Sequence, residues 1–148
     1  MPDQRDLGPR LSRRLTYLLK YALFALEDLH DEHLASSGIN ARELAVLLML
    51  GDREPESQQQ AAQRLGVDRT TMVSLLDGLE RKTLVRRRAD PADRRRNVVE
   101  LTDAGQTVLE EATRASDLAE QQLLADLGER DATRLRVLLE RIATGEPR

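Results

Sequence analysis

Residues 57–81 read SQQQAAQRLGVDRTTMVSLLDGLER, and this stretch decides the fold. Ser57 followed three residues later by Gln60 is a capping-box signature, in which the hydroxyl accepts from the Gln60 N–H and the Gln60 amide reaches back. A short helix carrying Ala61, Ala62 and Leu65 follows. Gly66 ends it, because glycine meets no Cβ clash in a left-handed stop. Asp68 caps a second helix at once, with Val67 and Met72 placed as its hydrophobic staple. Helix, tight turn with glycine, helix is the spacing of a helix-turn-helix.

On the second helix Met72, Leu75, Leu76 and Leu79 share one face, so the opposite face carries Thr70, Ser74, Asp77 and Arg81, flanked by Arg69, Thr71 and Val73. Small hydroxyl side chains let such a helix sit deep in a groove. Arg69 is the strongest candidate base reader, since a guanidinium bonds guanine O6 and N7 together, worth about 1–3 kcal/mol of discrimination. Thr70 and Ser74 are candidates for bases or phosphates. Asp77 on the same face would repel phosphate, so it either turns away from the backbone or accepts from a cytosine amino group. Ser57, Gln58 and Gln59, opening the first helix, are placed to bind phosphate through backbone N–H groups and the helix dipole. The plainer alternative for all of these is ordinary cap and surface chemistry at helix starts.

Leu84–Arg88 and Asn97–Thr102 read as two strands, joined by Ala89-Asp90-Pro91-Ala92-Asp93 and an arginine run. From Arg81 to Arg96 there are eight cations against two acids, a window of +6 in a chain whose net charge is -3, so the remainder is -9. Most charge runs are solvated faces. This one lies directly after a helix-turn-helix, the context in which a basic hairpin meets phosphate. Aromatics make up only 2% of the chain, which argues against stacking on a single strand and for duplex DNA.

Upstream, Leu11, Leu15, Leu18, Ala22, Leu26 and Leu29 form one apolar stripe on a long helix, and Tyr17, Tyr21 and Phe24 form a second line beside it. A helix with two apolar faces is packed from both sides, which a small monomer seldom arranges. Ser36-Ser37-Gly38 breaks the pattern. Asn40 and Glu43 then make a second capping box before a buried helix ending at Gly51. Downstream, Thr102 caps a long helix carrying Val108, Leu109, Ala112, Ala115, Leu118 and Leu123. A last helix follows Gly128, with Leu135, Leu138, Leu139 and Ile142 on one face, and the tail from Gly145 is expected to fray.

At 148 residues, 40% hydrophobic and 33% charged, the chain fits one globular unit. The absence of cysteine excludes disulfides and thiolate metal sites. The longest apolar run, Leu44–Leu50, is too short for a bilayer and the first residues lack a secretory pattern, so a cytoplasmic protein with no membrane partner is expected. No nucleophile stands beside a base and no glycine-rich phosphate loop occurs, so neither enzymatic activity nor a cofactor is expected. His30 and His33 share a helix face, but two histidines fall short of a tetrahedral site; a solvated helix end is expected, with no metal.

The order of elements resembles the MarR family of bacterial regulators over nearly the whole chain. The most specific part is Leu84-Val85, Asp90-Pro91-Ala92-Asp93-Arg94-Arg95 and Leu101-Thr102-Asp103-Ala104-Gly105, close to that family's wing signature. The resemblance implies a mainly α fold with a small β-hairpin wing: one domain over 1–148, a winged helix-turn-helix at 40–102, and dimerisation helices at 8–36 and 103–144. It implies a sequence-specific double-stranded DNA-binding repressor, a homodimer on a pseudo-palindromic operator, released by a small aromatic or anionic effector. Carried onto this chain, Arg94 reaches the minor groove beside Arg95 and Arg96, and Asp93 with Arg95 braces the wing. The family's apolar effectors sit between its dimerisation and DNA-binding parts. Tyr17, Tyr21 and Phe24 are the candidates there, against the simpler reading that they pack in the core or dimer seam. Gln60 stands where the family often has an apolar residue, and Lys82-Thr83 where it has Lys-Gly, although threonine at positive φ costs more than glycine.

Overall fold

Leucine spacing and side-chain caps together set the helices. In the computed structural model, which describes residues 7–145, a single turn α1 (Gly8–Leu11) precedes the twenty-residue α2 (Leu15–Leu34). Asn40 Oδ1 accepts from the Glu43 N–H at 2.9 Å and Glu43 Oε1 from the Asn40 N–H at 3.2 Å, opening α3 (Ala41–Gly51). A two-residue strand β1 (Glu56–Ser57) leads into α4 (Gln58–Leu65), and Asp68 caps α5 (Arg69–Arg81). Gly66, at φ 64°, makes the left-handed turn between α4 and α5. The hairpin β2 (Val85–Ala89) and β3 (Asn97–Leu101) follows, then α6 (Asp103–Leu124) and α7 (Gly128–Thr144). Of the tail expected to fray from Gly145, Gly145 itself caps α7 at φ 64°, and 146–148 lie outside the described residues.

The sheet differs from the two-strand expectation. β3 is central, pairing antiparallel with β2 through Val85↔Leu101 and Arg87↔Val99 and with β1 through Glu56↔Val99. Ser57 is expected only as a helix cap, and two residues carry no alternation from which a strand could be recognised. The expected strand limits also shift: Leu84 is still in the turn, and Thr102 caps α6, its Oγ1 accepting from the Gly105 N–H at 3.0 Å. In that turn Lys82 ties the end of α5 to the start of α3, its Nζ donating to Glu43 Oε2 at 2.8 Å and to the Gly38 carbonyl at 2.9 Å.

The chain divides into two compact units. The central one, residues 30–116, holds the core: Val46, Leu47 and Leu50 from α3, Ala61 from α4, Met72, Leu76 and Leu79 from α5, with Val85, Val99 and Ala112. The other unit, the chain up to Leu29 and from Asp117 onward, has little interior. Its buried apolar residues among those described are Tyr21 and Ala119, and α7 buries none. Leu15, Leu18 and Ala22 of the expected stripe are exposed, with Leu15 at 73% and Ile142 at 77%. Within this unit an apolar groove of about 480 Å³ is lined by Leu19, Leu23 and Leu26 of α2, Leu123 of α6, and Leu135 and Leu139 of α7.

Thr83 has φ 62°, a left-handed conformation that a β-branched residue adopts only under constraint. The constraint is visible: its N–H donates to the Glu80 carbonyl at 2.9 Å and its carbonyl accepts from Thr102 Oγ1 at 2.6 Å. Thr83→Gly is expected to raise stability by about 1 kcal/mol, read from the urea midpoint. The opposite is expected at Gly105, where an added Cβ would run into the Leu84 carbonyl oxygen. Gly105→Ala should cost roughly 3 kcal/mol, and an unchanged midpoint would contradict the packing described.

Candidate nucleic-acid interface

α5 begins on a charged cap. Asp68 Oδ1 accepts from the Thr71 N–H and Oδ2 from the Thr71 hydroxyl, both at 2.8 Å. The Thr71 N–H, then its hydroxyl, hold this carboxyl below the usual carboxylate range. Thr71 is therefore engaged in the cap, while Arg69, Thr70 and Ser74 are exposed and Val73 is half-buried. Burial of Met72, Leu76 and Leu79 turns that polar face outward.

A concave groove of about 590 Å³ runs between the start of α4, the start of α5 and the foot of the hairpin. Ser57, Gln58, Arg69, Val73, Arg95 and Arg96 all line it. Among the sequence candidates for DNA contact, Thr70, Thr71, Ser74 and Arg94 do not; Arg94 sits at the hairpin tip. Gln59, Gln63 and Asn97 add to its polar wall, Gln63 and Asn97 being residues that the sequence does not single out for contact, and Ala62, Val67 and Met72 form its apolar part. Ser57 is buried, and its N–H donates to Gln60 Oε1 at 3.0 Å. That N–H is thus taken up by the capping box, and the N–H groups of Gln58 and Gln59 are those left without an intrahelical acceptor.

The hairpin tip is shaped by two aspartates. Asp90 Oδ1 accepts from the Ala92 N–H at 2.9 Å, and Asp93 Oδ1 from the Arg95 N–H at 3.1 Å. Asp93 and Arg95 are joined through the main chain, which leaves the Arg95 guanidinium exposed.

The eight cations of the basic window fall into two sets. Lys82 pairs with Glu43; Arg86 and Arg88 both pair with Glu100, at 2.6 and 3.1 Å; Arg87 pairs with Asp77 and Glu80. The hydrogen bond from Arg86 is the main cause that keeps the Glu100 carboxyl below its ordinary value. Arg81, Arg94, Arg95 and Arg96 form no ion pair among the described residues. Asp77, left open between two orientations, is held by Arg87 Nη2 at 2.7 Å. The sequence signal for this partition is strand alternation: Arg87 follows buried Val85 by two and shares its face, whereas Arg86 and Arg88 lie on the other.

Tyr17, Tyr21 and Phe24 run along α2 with ring centroids 6.4 and 6.2 Å apart, and Lys20 Nζ lies 5.9 Å from the Tyr17 centroid and 5.5 Å from that of Phe24. Tyr21 is buried. His30 Nε2 lies 2.9 Å from Ser116 Oγ. No group of three or more His, Cys, Asp or Glu placed to hold a metal occurs among the described residues. No helix described is long and apolar enough to cross a membrane.

A helix-turn-helix whose second helix turns a polar face outward, beside a hairpin tipped with unpaired arginines, is a winged helix-turn-helix of the DNA-binding type. A family model described as MarR family matches residues 37–96. The chain is 30% identical over 115 residues to the HTH-type transcriptional regulator PecS of Dickeya dadantii, covering 76% of this chain and 69% of that one. It is 25% identical over 131 residues to the HTH-type transcriptional regulator MhqR of Bacillus subtilis, covering 88% and 90%. Among solved structures it is similar to the transcriptional repressor CouR bound to a 23-mer DNA duplex, at 31% identity and TM-score 0.80 over 90% of this chain and 93% of that one. CouR from Rhodococcus jostii RHA1 is also solved bound to p-coumaroyl-CoA, matching at 25% and TM-score 0.79 over 95% and 99%. The chain belongs to the MarR family of transcriptional regulators.

The lowered Asp68 pKa carries a sign. The charged cap stabilises α5 fully above the ordinary carboxylate value, and that contribution is lost as pH falls through the lowered one. Asp68→Ala is expected to unfold at lower urea than the parent near neutral pH. The gap between the two midpoints should begin to narrow as pH falls below the ordinary carboxylate value, about 4, and close once pH has passed the lowered value of the folded chain. A gap that persisted in strong acid would remove the charged cap from this account.

Proposed function

We propose that the chain binds a specific double-stranded DNA site as a homodimer and represses transcription there until a small-molecule effector releases it. The observation that carries the reading is the groove in which the start of α4, Arg69 of α5 and the unpaired Arg95 and Arg96 of the hairpin face one concavity. In this reading α5 enters the major groove with Arg69 reading guanine and Thr70, Thr71, Val73 and Ser74 in contact. Gln58 and Gln59, beside Ser57, take phosphate, and Arg94 reaches the minor groove.

We assign residues 40–102 to DNA binding and residues 8–36 with 103–144 to dimerisation. The exposed leucines of α2, α6 and α7 support the second assignment, since monomeric proteins rarely leave so much contiguous apolar surface in water. Effector release is supported by the similarity to CouR with its p-coumaroyl-CoA. Tyr17, Tyr21 and Phe24 are the residues we assign to that response. The protein is read as cytoplasmic and without enzymatic activity.

Selection from a random duplex pool, followed by fluorescence anisotropy over a salt series, tests the reading. Affinity should fall with salt by about 0.9 log unit per log unit for each phosphate contact. Arg69→Ala should lose about 1–3 kcal/mol against its cognate base pair and little elsewhere. Arg94→Ala should lose most on A·T-rich flanks, where a narrow minor groove concentrates negative potential. Binding indifferent to ionic strength, or a selected pool with no common sequence, would overturn the proposal.

A further inference from the structure

Arg87 is the one arginine of the hairpin strands that faces the helices. Its side chain is only 19% exposed, and its three kinds of nitrogen go to three partners. Nε donates to Gln58 Oε1 at 3.0 Å, Nη1 to Glu80 Oε1 at 3.2 Å, and Nη2 to Asp77 Oδ1 at 2.7 Å. Gln58 is the first residue of α4, whereas Asp77 and Glu80 lie almost one turn apart on α5. A single planar group therefore joins both helices of the helix-turn-helix to the strand that carries the hairpin. Because a guanidinium is flat and rigid, rotating the hairpin against α5 strains all three bonds together, which a flexible ammonium would not resist.

We infer that Arg87 is a positioning residue: it sets the hairpin against the recognition helix so that both reach one DNA site in register, and it contributes no phosphate contact of its own. The inference rests on the DNA-binding reading above. Its charge is already opposed by two carboxylates, and two of its bonds direct it into α5. The same pairing explains how Asp77 and Glu80 are tolerated on a helix that approaches phosphate. Discrimination between sites, rather than general attraction to DNA, should depend on this clamp, since the wing and the helix must satisfy their contacts at the same moment.

Two variants separate position from charge. Arg87→Lys keeps the cation and loses the fork; Arg87→Ala combined with Asp77→Ala removes one charge of each sign and so keeps the net charge of the cluster. Each is compared with the parent on the selected operator and on random duplex across a salt series, with the thermal midpoint recorded. The expected result is a specificity ratio reduced about tenfold in both variants, the size of a coupling between neighbouring groups. The loss should fall on base pairs under the hairpin as well as under α5, with random-duplex affinity held within about twofold and the salt slope unchanged.

A slope shallower by about one, with equal losses on both duplexes, would make Arg87 a phosphate contact and overturn the inference. An unchanged specificity ratio in a folded variant would overturn it as well. Loss confined to one base pair in the double variant, with Arg87→Lys at parent level, would assign Asp77 as a base reader and do the same. A parent chain that binds no duplex at all fails one step earlier, at the DNA-binding reading, and takes this inference with it.

Discussion

Met72, Leu76 and Leu79 are almost sealed from solvent within the cluster formed by α3, α4 and the hairpin strands. Burying three such side chains contributes roughly 5–9 kcal/mol relative to leaving them in water, a magnitude comparable to the whole stability of a small domain. That burial leaves α5 little freedom to roll. Rotating it by one residue would bring Val73 and Asp77 inward and expose a leucine. Arg69, Thr70 and Ser74 consequently face outward for reasons unrelated to what they touch, and the polar face is held firmly enough to recognise a shape.

Charge is then distributed by partner rather than by position in the sequence. The arginines of the strands are answered by Glu100, Asp77 and Glu80, so they act as structural cations within the hairpin. Those of the tip have no such partner among the described residues, and the two aspartates beside them are occupied with main-chain N–H groups. A net charge of -3 for the whole chain coexists with a strongly positive groove because the acids near it are already engaged.

Much of this was legible from residue types alone. Both capping boxes and the Asp68 cap follow from side chains that have one short-range use at a helix start, and each is present with the expected partner. Gly66 was readable for the same reason, and threonine in the place of glycine at residue 83 marked the positive φ that the backbone adopts. The short strand β1 was not legible, since two residues have no period and their pairing with β3 is a long-range event. Nor was the division of the arginines. Counting charge in a window treats Arg87 and Arg88 alike, whereas the pleat sends them to opposite faces. The use of the Ser57 N–H by Gln60 was implicit in its own capping box, and a closer account of donors would have withdrawn Ser57 from the phosphate candidates.

The near absence of an interior in the terminal unit bears on how abundance and integrity are linked. Among the described residues of this unit only Tyr21 and Ala119 are buried apolar side chains, too few to hold α2 and α7 in place unaided. Where a second copy supplies the missing cover, folding and association become one equilibrium governed by mass action, and dilution loosens the helices as surely as heat does. Synthesis rate then tunes the integrity of each molecule as well as the number of molecules. A scarce regulator of this build is more exposed to proteolysis than an abundant one, and its turnover depends on how much of it the cell keeps.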